Sequence, residues 1–259
     1  MKIAMVGFGK MGHMIKSAAE ACGNEVVLTV DVVAADADVK VSAGDYEAVA
    51  RAVKESGAQG IIEFTHPTAV MGNIKVLLPL GLPLVVGTTG WVDKEDEVKA
   101  LAASCGGIIM RSSNFSIGVN LFYKVVAEAA KLFNEYNEYD AATWEMHHRQ
   151  KADSPSGTAL SIAQVVMENF KRKTETEVDA FHEKPAENAL HVSSTRCGFV
   201  PGTHAVFFDG PADQIEIRHT ARSREGFAYG AVHALEKLNE GILNGDLKKG
   251  NLYGMEIFG

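Results

Sequence analysis

The sequence predicts an α/β protein, a doubly wound parallel sheet followed by a smaller α+β domain, and three observations carry that prediction. Residues 1–115 alternate short apolar runs with amphipathic stretches, the rhythm of βαβ units around a parallel sheet. Turn residues (Gly7, Gly23-Asn24, Gly57, Pro67, Gly81, Gly87) stand at each switch. After Asn120 the rhythm changes to longer helical patterns interleaved with alternating, strand-like stretches. A chain of 259 residues is long enough for one large domain or two modest ones.

Residues 2–6, 26–30, 60–64, 82–86 and 107–110 read as buried strands, with helices between them such as 11–21 and 93–104. Right-handed crossovers then give an open sheet wound on both faces. In the second half, 121–136 is a helix and 139–147 alternates as a strand. Residues 160–171 carry Leu160, Ala163, Met167 and Phe170 on one side, as a packed helix requires. Strands follow at 191–196, 204–208 and 214–219, then a final helix at 226–239 with Gly241 placed to end it. There is no internal repeat and no low-complexity linker, so the boundary near residue 117 is soft.

Composition narrows the function. With 25 Lys+Arg against 33 Asp+Glu the formal net charge is −8, which disfavours nucleic acid and anionic membrane as partners. Cys22, Cys105 and Cys197 are far apart, odd in number and without a CxxC, so a reducing, cytoplasmic setting is expected. The chain opens directly into strand-like sequence without a signal-peptide pattern, and no apolar run approaches the ~20 residues of a membrane helix.

Gly7-Phe8-Gly9-Lys10-Met11-Gly12 fits G-x-G-x-x-G between the first strand and the first helix. Glycines there allow a tight turn, close approach of a pyrophosphate, and packing of helix on strand. The pattern alone also suits a bare strand–helix turn. Asp31, 19 residues after Gly12 at the end of the second strand, sharpens it, because a carboxylate there can accept from ribose hydroxyls. Val32 and Val33 follow Asp31, so no arginine stands ready for a ribose 2′-phosphate, and NADH is favoured. Lys10 keeps NADPH possible, although a solvated turn lysine explains it equally well. Gly87-Thr88-Thr89-Gly90 and Ser112-Ser113-Asn114-Phe115 follow later strands and belong at the ligand-binding carboxyl edge, unless they are plain polar loops.

The densest chemistry is Glu145-Met146-His147-His148-Arg149-Gln150-Lys151, a basic cluster in an acidic chain. Such a cluster suits a small anion, or it is a solvated basic turn. Zinc is disfavoured because no cysteine or third histidine has ligand spacing nearby. Asp153-Ser154-Pro155-Ser156-Gly157-Thr158-Ala159 reads as a helix start, with Ser154 as N-cap and Pro155 at the first helical position. Gly157 and Thr158 would then offer unpaired N–H groups to a carboxylate. His147 and Lys151 would be neighbours on a helical turn, yet about 13 Å apart on a continued strand, and spacing does not choose between these.

These residues, Glu145-x-His147-His148-x-x-Lys151-x-Asp153-Ser154-Pro155-Ser156-Gly157-Thr158-Ala159, closely resemble the signature of the 4-hydroxy-tetrahydrodipicolinate reductase (dihydrodipicolinate reductase) family of lysine and diaminopimelate synthesis. The stretches at 7–12, 86–90 and 114–120, and Arg196-x-Gly198-x-x-x-Gly202-x-His204, resemble family segments in the same order. The resemblance implies NADH- or NADPH-dependent reduction of the cyclic substrate to tetrahydrodipicolinate with loss of water. It implies His147 as acid/base residue, Lys151 as proton donor, and His148, Gly157, Thr158 and Arg224 as contacts for a small dicarboxylate. It implies cofactor contacts at Gly7, Phe8, Gly9, Lys10, Met11, Gly12, Asp31, Gly87, Thr88, Thr89, Ser112, Ser113, Asn114 and Phe115, and no metal. It also implies a dinucleotide-binding domain at 1–117 plus 229–259, a substrate-binding and oligomerisation domain at 118–228, and a homotetramer.

Four positions depart from the family pattern: Ser154 for alanine, Glu63 for aspartate, Thr203 where an acidic residue is common, and Val32 where some members have arginine. Two other readings stand beside this one. A different Rossmann-type reductase, such as an amino-acid dehydrogenase, would lack the carboxylate site at the helix start. A redox sensor would not need His147 and Lys151 together.

Overall fold

The computed structural model describes residues 1–178 and 180–258. The chain divides into two compact units, 1–116 with 225–259, and 117–224. In chain order the first unit contributes β1 (Lys2–Val6), α1 (Lys10–Ala21), β2 (Glu25–Asp31), β3 (Val39–Lys40), α2 (Tyr46–Glu55), β4 (Gly60–Glu63), α3 (Val70–Leu77), β5 (Leu84–Val86), α4 (Glu95–Cys105) and β6 (Ile108–Arg111). The second unit comprises α5 (Ile117–Asn134), β7 (Asp140–His147), α6 (Gly157–Asn169), β8 (Glu175–Glu177), β9 (Ala189–Arg196), β10 (Thr203–Asp209) and β11 (Gln214–Thr220). The chain then returns to the first unit as α7 (Glu225–Asn244) and β12 (Asn251–Tyr253).

All seven strands of the first sheet are parallel, in the order β12-β6-β5-β4-β1-β2-β3. Helices cover both faces, which explains why β1 and β4 are apolar at nearly every position rather than alternating. On one side Ile15, Ala19, Ala231 and Leu235, from α1 and α7, pack with Ile3 and Met5. On the other side Val49, Val53, Ile74, Leu77 and Val98, from α2, α3 and α4, pack with Ala4, Ile61 and Leu84. Ile3, Ile15, Ile61, Ile74 and Leu84 are fully buried, and each such side chain contributes about 1.5–3 kcal/mol. The strand order reverses between β1 and β4, where a doubly wound sheet opens its ligand crevice.

The second sheet has the order β11-β10-β7-β9-β8 and mixes parallel with antiparallel pairs. Strand β7 alternates as its sequence predicts, burying Ala141, Thr143, Glu145 and His147 on one face. Val192, Val206 and Phe208 of the neighbouring strands extend that face, and residues of α5 and α6, among them Phe122, Val126, Ile162 and Val166, cover it. Trp144 and Met146 alternate onto the opposite face.

Two expectations are corrected. Helix α6 begins at Gly157, and its N-cap is Ser156, whose Oγ accepts from the Ala159 N–H at 3.1 Å. Ser154 and Pro155 therefore precede the helix, because Ser156, two residues beyond the expected cap, is the hydroxyl that reaches the orphan donor. Helix α7 does not end at Gly241 but continues to Asn244, and Gly245 (φ 79°) follows it. Gly241 is small for another reason: a Cβ there would lie 2.5 Å from the Leu247 side chain. The short edge strands β3, β8 and β12 carry no sequence signal, since two or three residues give no readable alternation. All three cysteines are free, and among the described residues no helix is long and apolar enough to cross a membrane.

Candidate active site

The carboxyl edge of the first sheet gathers the residues expected to hold a dinucleotide. Val30, Val6, Glu63, Val86 and Arg111 stand in one row of paired residues across β2, β1, β4, β5 and β6. The next positions along those strands are Asp31, Gly7, Phe64, Gly87 and Ser112. Gly7 has φ 93°, and a Cβ on it would sit 2.1 Å from the Phe64 carbonyl oxygen. A Cβ on Gly12 would lie 2.5 Å from the Gly7 carbonyl, so any larger residue would separate α1 from the turn. Beside Gly9 a Cβ would meet nothing within 4 Å, and the start of α1 has no side-chain cap and no acidic residue in its first turn. That leaves an open, positively polarised helix end of the kind that accepts phosphate.

Asp31 is already engaged by backbone. Its Oδ2 accepts from the Phe8 N–H at 2.6 Å and its Oδ1 from Val33 and Ala34 at 2.7 and 2.9 Å. Partial burial opposes its ionisation, but these N–H groups outweigh burial and hold the carboxyl below its ordinary range. A carboxylate has about four lone-pair positions, so one stays available for a ribose hydroxyl. A cleft of about 340 Å³, lined in part by Gly7, Gly9, Asp31, Tyr46, Phe64 and Thr65, opens beside it.

The other cofactor positions are tied into their loops. Thr88 Oγ1 accepts from the Thr65 N–H at 2.7 Å, and the Thr88 carbonyl accepts from Trp91 Nε1 at 2.8 Å. Ser112 Oγ donates to the Asn114 carbonyl at 2.8 Å, and Phe115 is buried against Phe64. Lys10 is exposed as the first residue of α1, and Met11 is half-buried beside it. Sequence reasoning gave no role to Glu63, which is fully buried among Thr65 and Asn73. Burial pushes its carboxyl pKa up, while hydrogen bonds from Thr65, Thr88 and Asn73 pull the other way.

In the second unit, β7 ends at His147 and the chain turns at once. The Lys151 N–H donates to the His148 carbonyl at 3.1 Å, which closes the turn and settles the question of strand or turn. His147 is buried with its Nδ1 on Glu145 Oε2. Facing a carboxylate, Nδ1 carries the proton and Nε2 is left with the lone pair. Glu145 is fully buried, and its second oxygen accepts from Arg196 Nη1 at 2.7 Å. Burial opposes the Glu145 charge, yet the Arg196 hydrogen bond and the neighbouring imidazole hold its carboxyl below the usual range. Burial lowers the His147 pKa, Glu145 pulls it up, and the charges of Lys151 and Arg196 lower it further; the net shift is downward. His147 is therefore neutral at pH 7, a proton acceptor at Nε2.

Lys151 Nζ pairs with Asp153 Oδ1 at 2.9 Å, and the nearby Gly157 N–H helps Lys151 hold that carboxyl below its ordinary range. A carboxylate thus already stands between the ammonium and the start of α6. Gly157 is exposed, and a Cβ on it would meet nothing within 4 Å. Thr158 follows it and reaches the Tyr123 phenol. His148 has a buried Nδ1 without a hydrogen-bond partner. Arg224 is exposed before α7, and among the described residues no ion pair joins it to this cluster.

Two family models match this chain: dihydrodipicolinate reductase, N-terminus, over residues 1–115, and dihydrodipicolinate reductase, C-terminus, over residues 118–258. The chain belongs to the dihydrodipicolinate reductase family. Relatives named 4-hydroxy-tetrahydrodipicolinate reductase include one from Christiangramia forsetii, 33% identical over 93% of each chain. Another, from Archaeoglobus fulgidus, is 38% identical over 90% of this chain and 92% of its own. The fold is shared with a dipicolinate-bound dihydrodipicolinate reductase from Paenisporosarcina sp. TG-14, at TM-score 0.76 and 23% identity over 99% of this chain and 98% of that one. A diaminopimelate dehydrogenase from C. glutamicum shares the fold more distantly, at TM-score 0.57 and 12% identity over 98% of this chain and 92% of its own.

In this member of the family the fold supplies the third histidine that spacing did not reveal. His204, on β10, brings its ring to 5.1 Å from that of His147, and the ligand atoms of Glu145, His147 and His204 lie within 4.8 Å of one another. Both Glu145 oxygens are committed, one to His147 and one to the Arg196 cation, which works against a metal at this place. His204 Nε2 lies 3.3 Å from Ser156 Oγ. Burial first, and the nearby His147 second, push its pKa down to about 4.

That value sets a pH dependence of stability. The unfolded chain takes up the His204 proton near pH 6.5, whereas the folded chain resists until about pH 4. Stability is therefore lost as pH falls through that window, by on the order of 3 kcal/mol. We expect thermal melts between pH 7.5 and 4.5 to fall more steeply for wild type than for His204→Gln. Parallel slopes would show that His204 is not held neutral.

Proposed function

We propose that this chain catalyses the NAD(P)H-dependent reduction of 4-hydroxy-tetrahydrodipicolinate to tetrahydrodipicolinate, with loss of water, in lysine and diaminopimelate biosynthesis. The observation that carries this reading is that the turn after β7 gathers His147, Lys151 and the start of α6 around the Asp153 carboxylate, in a chain of this family. In the proposal the first unit binds the dinucleotide through the turn at 7–12, Asp31, and the loops at 87–89 and 112–115. The second unit binds the dicarboxylate through His148, Gly157, Thr158 and Lys151, with Arg224 as a further contact.

The net reaction consumes one hydride and one proton and releases one water. The reduced nicotinamide supplies the hydride when bound. Lys151 is the proton donor in this reading, because its ammonium combines a transferable proton with charge for the dianion. Neutral His147 cannot donate from Nε2, so it accepts or relays a proton there while Glu145 stabilises the imidazolium that results. A substrate carboxylate would take the place of Asp153 between Lys151 and the Gly157 N–H. The test is NADH oxidation when pyruvate and aspartate semialdehyde are condensed in the same cuvette by the preceding enzyme. No oxidation in that assay would remove the reading, and turnover of an amino acid instead would point to a different reductase.

The cofactor preference follows from the first unit. Asp31 keeps one acceptor for the ribose, and Val32 offers no charge. His13 Nε2 is paired with Asp36 at 2.8 Å in the cleft beside Lys10, so a carboxylate already stands where a 2′-phosphate would need cations. We expect NADH to bind tighter than NADPH by several-fold, measured by isothermal titration of each. A clear preference for NADPH would overturn this. Assembly as a cytoplasmic homotetramer is also part of the proposal. Both helices of the second unit pack on one face of its sheet, and the opposite face presents Trp144, Met146 and Phe207, the apolar kind of surface that copies of a chain cover. Light scattering that gave a monomer would reject it.

A further inference from the structure

We propose that Arg196 is a positioning residue that sets His147 and the loop carrying Lys151 in one frame; this rests on the reading of that cluster as the active site. Arg196 ends β9, with its side chain mostly buried. Its Nη1 donates to Glu145 Oε1 at 2.7 Å, the carboxylate whose other oxygen holds His147. Its Nη2 donates to the Asp153 carbonyl at 2.5 Å and its Nε to the Lys151 carbonyl at 3.3 Å. One rigid fork thus joins the orienting partner of the histidine to the main chain on either side of Ala152. The guanidinium spreads five donors over a fixed plane and so reaches the carboxylate and the separate Lys151 and Asp153 carbonyls, whereas a lysine ammonium offers three donors from a single point.

Each branch of the fork has its own consequence. A buried Glu145 keeps its charge only with a cation beside it, and that charge selects the Nδ1–H form of His147. The groups that face His147 are Glu145, Arg196, Lys151 and the ring of His204, so removing the Glu145 charge leaves only groups that disfavour imidazolium. The other branch fixes the loop between the turn at His148 and the N-cap at Ser156. That loop carries Lys151 and delivers the chain to Gly157.

The branches separate by mutation. Arg196→Lys retains a cation for Glu145 but cannot reach both carbonyls. We expect it to weaken binding of pyridine-2,6-dicarboxylate at least about tenfold, the loss of one or two charge-assisted hydrogen bonds, with the acid limb of the kcat profile in place. Glu145→Gln leaves Arg196 an oxygen to bind, so dicarboxylate affinity stays close to wild type while kcat falls and the acid limb moves to lower pH. Arg196→Met should lose dicarboxylate affinity at least as strongly as Arg196→Lys. NADH affinity is expected to be unchanged in all three, and melting curves confirm folding. If Arg196→Met does not fold, the Lys and Gln variants carry the same contrast. Wild-type dicarboxylate affinity in Arg196→Lys would overturn the proposal, as would one common loss in all variants that tracks melting temperature. If Gly157→Val also leaves dicarboxylate affinity intact, the anion site lies elsewhere, and the role of Arg196 falls with it.

Discussion

Lys151→Met is expected to lower kcat by about 10²–10⁴, the usual worth of a positioned general acid, while NADH affinity stays at the wild-type level. Methionine keeps most of the stem volume and removes both the charge and the transferable proton. The Lys151 ammonium is half-buried at a turn held by backbone, with one exposed carboxylate as its partner, so the fold loses only a surface-type ion pair worth about 0–1 kcal/mol. A large fall in kcat would therefore report chemistry rather than unfolding. His147→Gln is expected to lower kcat as well, and to flatten an acid limb that lies below pH 6.5 because burial depresses the imidazole pKa. Activity is lost on that side as His147 takes a proton and ceases to be an acceptor. If both residues act on one transition state, the double variant loses less than the product of the two single losses. Two near-wild-type kcat values would mean that the basic cluster is a solvated turn.

Gly157→Val is expected to raise the apparent KM strongly and to abolish most inhibition by pyridine-2,6-dicarboxylate, again with NADH affinity unchanged. The structure makes this substitution a clean probe. A Cβ at residue 157 meets nothing within 4 Å, so the side chain projects into open space and need not disturb α6. The same space is where a ligand carboxylate must come to reach the Gly157 N–H. On helix propensity valine is no worse than the glycine it replaces, so the loss of a charge-assisted hydrogen bond of about 1.5–3 kcal/mol would stand out. Equal inhibition of wild type and variant would move the anion site away from α6.

Much of the fold was legible because the local signals agree with one another. Strand β1 coincides with its expected range of 2–6, and the βαβ rhythm gave the parallel sheet, since buried parallel strands must be apolar throughout. Helix α6 starts later than Pro155 suggests because the Ser156 hydroxyl, not Ser154, caps it. Helix α7 runs past Gly241 because that glycine makes room for Leu247 and is not a stop. At α6 two local signals compete and the cap at Ser156 decides, whereas at α7 the packing of Leu247 on Gly241 carries the helix past the glycine.

The sequence by itself determined the fold class, the glycine turn and the contiguous run from Glu145 to Thr158, because each is written in adjacent residues whose chemistry can be read in order. What only the tertiary structure decided is the wiring of that run. Arg196 reaches Glu145 across 51 positions, and His204 reaches Ser156 across 48. Neither link has a spacing that could be anticipated, since strand pairing in the second sheet sets both. The pKa directions follow from the same cause. His147 and His204 are held neutral, and Glu145 is held charged, by the burial and partners that appear only when β7, β9 and β10 lie side by side.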